Sequence, residues 1–344
     1  MSLSAKFQRS HPQAFFLDDE NPEALQDYLH YHGWMDEQNE LQSIEKTGEG
    51  NMNKVLRIEL TDGKTYIIKQ SRPWVEKFPD IPAPADRANI EGLYFQETNQ
   101  NKIISSFSPE LLEADPDSHI LLIEDLGKGS DLTYLYEAGR EMDEETLQGL
   151  MNYLSALHQN FNQQACDFYI ENRGMRKLNA EHIFRFPFIE DNGMDLDDIT
   201  PGLGDLGQKY RDDEALMEQV AFLQYRYLQN GETLLQGDYY PGSFINTDDG
   251  VKVIDPEFCF FGDAEFDLGV FHAHMLIAQQ PQEIIDGILE HYKKPPTFLE
   301  LLYEQYAGIE ILRRMLGLAQ LPLSLGLDKK KALLEKAYSM LLDE

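Results

Sequence analysis

Two acidic sites 17 residues apart, Asp238 and Asp255, constrain this chain more than anything else in its sequence. The first lies in Leu235-Gln-Gly-Asp-Tyr-Tyr-Pro-Gly-Ser243; the second closes the apolar run Val251-Lys-Val-Ile254 as Asp255-Pro-Glu257. Thr233–Gln236 reads as a strand, so Gly237 lets the chain turn sharply and present Asp238. Pro256 should keep Asp255 and Glu257 on an extended segment. Two carboxylates ending a run that is otherwise buried are costly without a cation. One acid to orient a hydroxyl, and others to hold a divalent metal, are what in-line phosphoryl transfer requires.

Length and charge narrow the setting. The chain has 344 residues, 42% of them hydrophobic, which suits two lobes rather than one small core. Its longest apolar stretches, such as Phe258-Cys-Phe-Phe261, are far short of a membrane span. The first ten residues lack a signal-peptide core, and only Cys166 and Cys259 are cysteines, with no zinc-type spacing. A cytoplasmic location is expected. With 61 Asp and Glu against 29 Lys and Arg, a formal charge of −32, there is no basic footprint for nucleic acid or an anionic membrane. Because the acids are spread along the chain, a solvated surface explains them more simply than attraction of a cationic substrate, though both readings stay open.

Along the chain, Leu41–Gln70 is strand-like: Val55–Leu60 alternates, Thr61-Asp-Gly-Lys64 reads as a turn, and Thr65–Gln70 is β-branched and aromatic. A Pro-rich connector, Phe78–Pro84, leads to a helical segment at Asp86–Phe95, and Ser118–Leu126 reads as a buried strand. Later segments are mainly helical, with apolar repeats such as Leu147, Leu150, Met151, Leu154 and Leu157. The sequence thus predicts an α+β, bilobal, protein-kinase-like fold: a small β-rich lobe over 1–124 and a larger, mainly helical lobe over 125–344, hinged near Gly127–Gly129. Gly-rich loop, strand lysine, helix glutamate, linker, catalytic acid and metal acid follow in the order that fold requires.

The candidate residues take roles accordingly. Gly48, Gly50, Asn51 and Asn53 form a loop able to drape backbone N–H groups over phosphates. Lys69 would meet the α- and β-phosphates of ATP and pair with Glu91, for which Arg87, one helical turn earlier, is a competing partner. Glu124 and Leu126 belong to the linker whose backbone would meet the adenine. Asp238 is the catalytic acid; Asp255 and Glu257 are expected to hold Mg2+, with Ser243 or Asn246 in support. Asp267 is read as a brace of the catalytic loop. Arg313 and Arg314 point about 100° apart on a helix, so one is expected in a structural ion pair and the other against a substrate oxygen. His158, His272 and His274 are read as packed or hydrogen-bonded rather than metal-bound.

On these residues the chain resembles the aminoglycoside phosphotransferase and choline kinase superfamily, and within it the methylthioribose kinase branch. The resemblance spans about residues 40–320 and is carried by Gly48–Asn53, Ile67-Ile-Lys-Gln70, Gly237-Asp238 with Gly242-Ser243, Val253-Ile-Asp-Pro-Glu-Phe258, and the paired-arginine helix Leu312–Ala319. It implies an ATP- and Mg2+-dependent kinase whose acceptor is a small-molecule hydroxyl, the arginines contacting a sugar; a second copy of the chain stays open as a partner. Two departures stand out: Gln236-Gly-Asp238 where that family has His-Gly-Asp, and Tyr239-Tyr240-Pro241 where it has a Leu-His-Thr-like run, which puts Tyr240 beside the acceptor. Only eleven residues separate Asp255 from Asp267, too few for a protein kinase's activation segment. A kinase of cationic acceptors and a nucleotide-binding module without catalysis are the alternatives. Gln236 and Ser243 favour the module; Lys69, Asp238, Asp255 and Glu257 oppose it.

Overall fold

The structure, a computed structural model, describes residues 2–47 and 52–343 and divides into two compact units, Met1–Lys128 and Gly129–Glu344. The division falls after residue 128 rather than 124. The reason is local: Arg57 pairs with Asp125 at 2.8 Å and donates to the Gly127 carbonyl at 2.7 Å, which ties these residues to the first unit.

The first unit is built on a five-stranded antiparallel sheet: β1 (Leu41–Lys46), β2 (Lys54–Leu60), β3 (Thr65–Gln70), β4 (Leu111–Asp115) and β5 (Ile120–Glu124), in spatial order β1-β2-β3-β5-β4. The β2–β3 connection is the expected turn, with Gly63 at φ +83° and Asp62 accepting from the Lys64 N–H. Alternation then sorts the side chains to two faces. Leu56, Ile58, Leu60, Ile68, Ile120 and Leu122 pack under the helix Pro22–Tyr31, which contributes Leu25 and Leu29. Ile67, Leu121 and Ile123 turn the other way, against Ala88 of the helix Arg87–Thr98. Each fully buried leucine or isoleucine among them contributes roughly 1.5–3 kcal/mol, whereas Ile67 is only partly buried. Lys69, two residues after Ile67, shares this second face and is thereby aimed at the helix that carries Glu91. Strand β4 and the helices Leu3–Ser10 and Pro22–Tyr31 were not anticipated; the short, half-exposed β4 has little apolar alternation to read.

The second unit is helical around two small sheets. β6 (Ser130–Asp131) pairs with β8 (Phe244–Thr247), which pairs with β9 (Gly250–Val253), while β7 (Thr233–Leu235) pairs with β10 (Phe260–Gly262). The helix Ala264–Ile277 is buried almost all round and packs closely on Glu300–Leu316. That approach needs Gly269, where a Cβ would lie 2.8 Å from Tyr306 Cβ. Among the described residues no helix is long and apolar enough to cross a membrane.

Candidate active site

In the first unit Lys69 and Glu91 form a buried ion pair, Nζ lying 2.7 Å from Oε2 and 2.9 Å from Oε1. The competing arginine is engaged elsewhere: the buried Arg87 guanidinium donates to Asn53 Oδ1 at 2.8 Å and to the carbonyls of Arg72, Pro84 and Trp74. The Asn53 side chain is thus buried as an acceptor for Arg87, and any contact this residue makes with phosphate falls to its backbone, as expected of the loop. Gly48, Gly50 and Asn51 lie outside the described residues. Glu124 ends β5 with its N–H on the Glu110 carbonyl and its carboxylate on the Glu110 N–H. Leu126 follows it, half-exposed, before Gly127 at φ +81°.

In the second unit the chain leaves β7 through Gly237, at φ +88°; a Cβ there would sit 2.2 Å from the Phe258 carbonyl oxygen, so only glycine fits. Asp267, on the helix Ala264–Ile277, accepts the Gln236 and Gly237 N–H groups at 2.7 and 2.9 Å, and His158 stands 3.3 Å from it. The expected brace is therefore present. His158 also bonds the Tyr292 hydroxyl at 2.6 Å, and His272 stacks on Tyr303.

Around Asp255 the backbone departs from expectation. The segment is not extended: Asp255 is left-handed (φ 54°, ψ 54°) and Pro256–Phe258 is a single 3-10 turn. Proline's fixed φ suits the first position of such a turn as well as it suits a strand. A left-handed non-glycine residue costs on the order of 1 kcal/mol or more and persists where its surroundings hold it. Asp255 is exposed and Glu257 buried, the Glu257 and Cys259 carbonyls being held by Asn172 Nδ2 at 2.9 Å each. Ser243 accepts the Ile254 N–H at its carbonyl, which sets it beside Asp255; Asn246 pairs with Val251, farther back along β9. Of the two candidates, Ser243 is the neighbour. Its hydroxyl donates to the Asp238 carbonyl at 2.7 Å, leaving oxygen lone pairs for a ligand. Hard oxygen donors of this kind suit Mg2+. Among the described residues no three acidic, His or Cys side chains cluster for a metal, so an ion on Asp255 and Glu257 would complete its shell with phosphate oxygens and water.

The carboxyl of Asp238 is pushed up to about 6 by burial, against the pull of Arg314 and Arg313 and with the help of Glu310 and Glu257. Tyr240, whose hydroxyl is likewise raised, first by burial and then by Asp238, also feels Asp255. The acids thus share one electrostatic neighbourhood. Were Asp238 to act as a proton acceptor it would have to be ionised, and kcat/KM should then be level above about pH 6 and fall roughly tenfold per unit below it. A pH–rate profile checks this.

Both arginines are buried, and both enter an ion pair with the same carboxylate. Glu310, at i−3 and i−4, lies between them on the Glu300–Leu316 helix; Oε2 takes Arg313 at 3.0 Å and Oε1 takes Arg314 at 2.6 Å. Arg314 also stands 3.9 Å from Asp238 and 4.9 Å over the Tyr240 ring. His274 lies 3.1 Å from Glu310 and 2.5 Å from the Tyr136 hydroxyl. Burial and Arg314 lower His274 to about 4, so the neutral ring donates to Glu310 and accepts from Tyr136. Burial alone would raise the Glu310 carboxyl, but Arg313, Arg314 and the His274 hydrogen bond outweigh it and hold it well below the ordinary value. The stability Glu310 contributes is therefore present above about pH 4.5 and lost below it. Glu310→Gln should cost about 3–5 kcal/mol near neutral pH, read by urea denaturation, because two buried guanidiniums lose their counter-charge.

Sequence reasoning missed Glu310, Tyr136 and the part His274 plays. Glu310 was legible from its i+3 and i+4 spacing to the arginines; Tyr136 and His274 meet across 138 residues, which no local pattern reveals.

No family model matches the chain. Curated relatives do: it is 28% identical to the methylthioribose kinase of Pectobacterium atrosepticum over 266 residues, covering 73% of this chain and 64% of that protein. It is 26% identical to the methylthioribose kinase of Bacillus cereus over 85% of this chain and 83% of that protein. The chain thus spans slightly under two thirds of the Pectobacterium kinase. Among solved structures, LicA in complex with AMP superposes with a TM-score of 0.53 at 14% identity, covering 94% of this chain and all of that one. ADP-bound aminoglycoside phosphotransferase APH(2'')-Ib gives 0.50 at 13%, over 94% of this chain and 99% of that one. These structural likenesses establish a protein-kinase-like fold. In sequence the chain is similar to small-molecule kinases that act on methylthioribose, at 26–28% identity.

Proposed function

We propose that this chain transfers the γ-phosphoryl group of Mg-ATP to a hydroxyl of a small, uncharged, polyhydroxylated acceptor, with methylthioribose the leading candidate. The observation that carries the choice of acceptor is Arg314, whose guanidinium lies 3.9 Å from Asp238 and over the Tyr240 ring. Wherever the acceptor hydroxyl meets Asp238, a guanidinium is its neighbour, and a second, Arg313, acts on the same acid. The guanidinium can only donate, so ring oxygens and hydroxyls of a neutral sugar would be welcomed beside it as hydrogen-bond acceptors, whereas an ammonium group, itself only a donor, would find no partner in it. The overall charge of −32 then belongs to the solvated surface.

Asp238 accepts the hydroxyl's hydrogen bond and orients its oxygen in line with the γ-phosphorus. As the O–P bond forms and the bond to ADP breaks, the proton passes to the Asp238 carboxylate and on to solvent, which its raised pKa favours. Lys69, held by Glu91, offers its ammonium to the α- and β-phosphates. A magnesium ion, when bound by Asp255 and Glu257, supplies neutralisation of triphosphate charge.

A coupled ADP-release assay over methylthioribose, other neutral sugars, choline and an aminoglycoside tests the reading. Turnover of a neutral sugar at a rate insensitive to salt is expected. Turnover of a cationic acceptor that weakens as salt screens the field would overturn the choice of acceptor. Silence on every acceptor with Mg-ATP binding intact would favour the non-catalytic module.

A further inference from the structure

Gln236 is fully buried at the end of β7, and both ends of its carboxamide are bonded. Oε1 accepts the Asp238 N–H at 2.8 Å; Nε2 donates to the carbonyls of Ile254 and Asp255 at 3.0 and 3.3 Å. Its own N–H is fixed on Asp267 at 2.7 Å. One side chain therefore joins the backbone of the proposed proton acceptor to the backbone of the proposed metal ligand, and Asp267 joins both to the helix Ala264–Ile277.

We infer that Gln236 is a positioning residue: its carboxamide is a splint that sets Asp238 and Asp255 at a fixed spacing. The inference rests on the roles assigned above to those two acids. The chemistry demands a donor and an acceptor on adjacent atoms, because an N–H must be accepted on one side and carbonyls satisfied on the other. It also ties inward the carbonyl of Asp255, a left-handed residue exposed beside the buried Pro256 and Glu257. Sequence comparison with the His-Gly-Asp pattern makes Gln236 look like a loss. The hydrogen bonds show a side chain in use.

The test compares Gln236→His, Gln236→Glu and Gln236→Met in the full chain against wild type between about pH 5.5 and 8.5. Two quantities are read at each pH as ratios to wild type: Mn2+-dependent binding of a fluorescent ATP analogue, and phosphorylation of methylthioribose. A neutral imidazole offers one donor and one acceptor, but an imidazolium only donors. Gln236→His should therefore approach wild type at high pH and lose at least about tenfold as the ring protonates. An ionised carboxylate cannot donate, whereas a carboxylic acid can, so Gln236→Glu should show the opposite slope, weak at high pH and recovering in acid. Gln236→Met should be low throughout. Opposite slopes support the splint, since space-filling alone cannot produce them. Equal losses at every pH, or no loss in any variant, would overturn it. If wild type phosphorylates no acceptor yet the opposite slopes appear in nucleotide binding, the acceptor reading fails and the splint stands. If wild type binds the analogue without any need of Mn2+, the link to a metal-holding Asp255 is overturned.

Discussion

Asp238→Asn is expected to lower kcat by roughly 10²–10⁴ while leaving Mg-ATP affinity within a few-fold of wild type. That loss corresponds to about 2.7–5.5 kcal/mol of transition-state stabilisation. The amide matches the carboxylate in shape, so the loop braced by Asp267 and Gln236 should keep its course. What disappears is the proposed proton acceptor, and with it the acid limb near pH 6. Removing one of the negative charges around Arg314 should not unfold the unit, because Glu310 still holds that guanidinium at 2.6 Å. Single-turnover kinetics with the preferred acceptor, alongside calorimetric ATP binding, separate the two effects. Turnover that survives at more than a tenth of the wild-type rate would remove Asp238 from its assigned role.

Asp255→Ala should abolish productive Mg-ATP binding, and Asp255→Asn should weaken Mg-dependent affinity by about a hundredfold or more. The asparagine variant is the informative one. Asn tolerates left-handed backbone nearly as well as Asp, so it preserves the φ of 54° and the inward carbonyl bonded to Gln236. Nucleotide titrations with and without Mg2+ distinguish a lost metal ligand from a displaced loop. A lost ligand removes only the Mg-dependent part of the affinity; a displaced loop also lowers the thermal midpoint.

Much of this was legible because the carriers are local. The period-two alternation of β2 and β3 placed Lys69 on the helix-facing side of the sheet, and the glycine before Asp238 marked a turn that nothing but glycine can make. What escaped the sequence was of two kinds. Some features depend on partners far apart in the chain, as when Tyr136 and His274 complete the support of Glu310. Others depend on which of two permitted geometries the surroundings select. Pro256 allows a strand or a turn, and the ties from Gln236 and Asn172 accompany the turn. Arg313 and Arg314 pointed apart, as helix geometry requires, yet one carboxylate between them served both.

The most direct measurement is a crystal structure of the chain with Mg2+, a non-hydrolysable ATP analogue and methylthioribose. The account predicts carboxylate oxygens of Asp255 and Glu257 on the metal at about 2.0–2.1 Å, and Asp238 within hydrogen-bond distance of one sugar hydroxyl beside Arg314. A metal bound away from both acids, or a sugar whose hydroxyls all lie out of reach of Asp238, would contradict it.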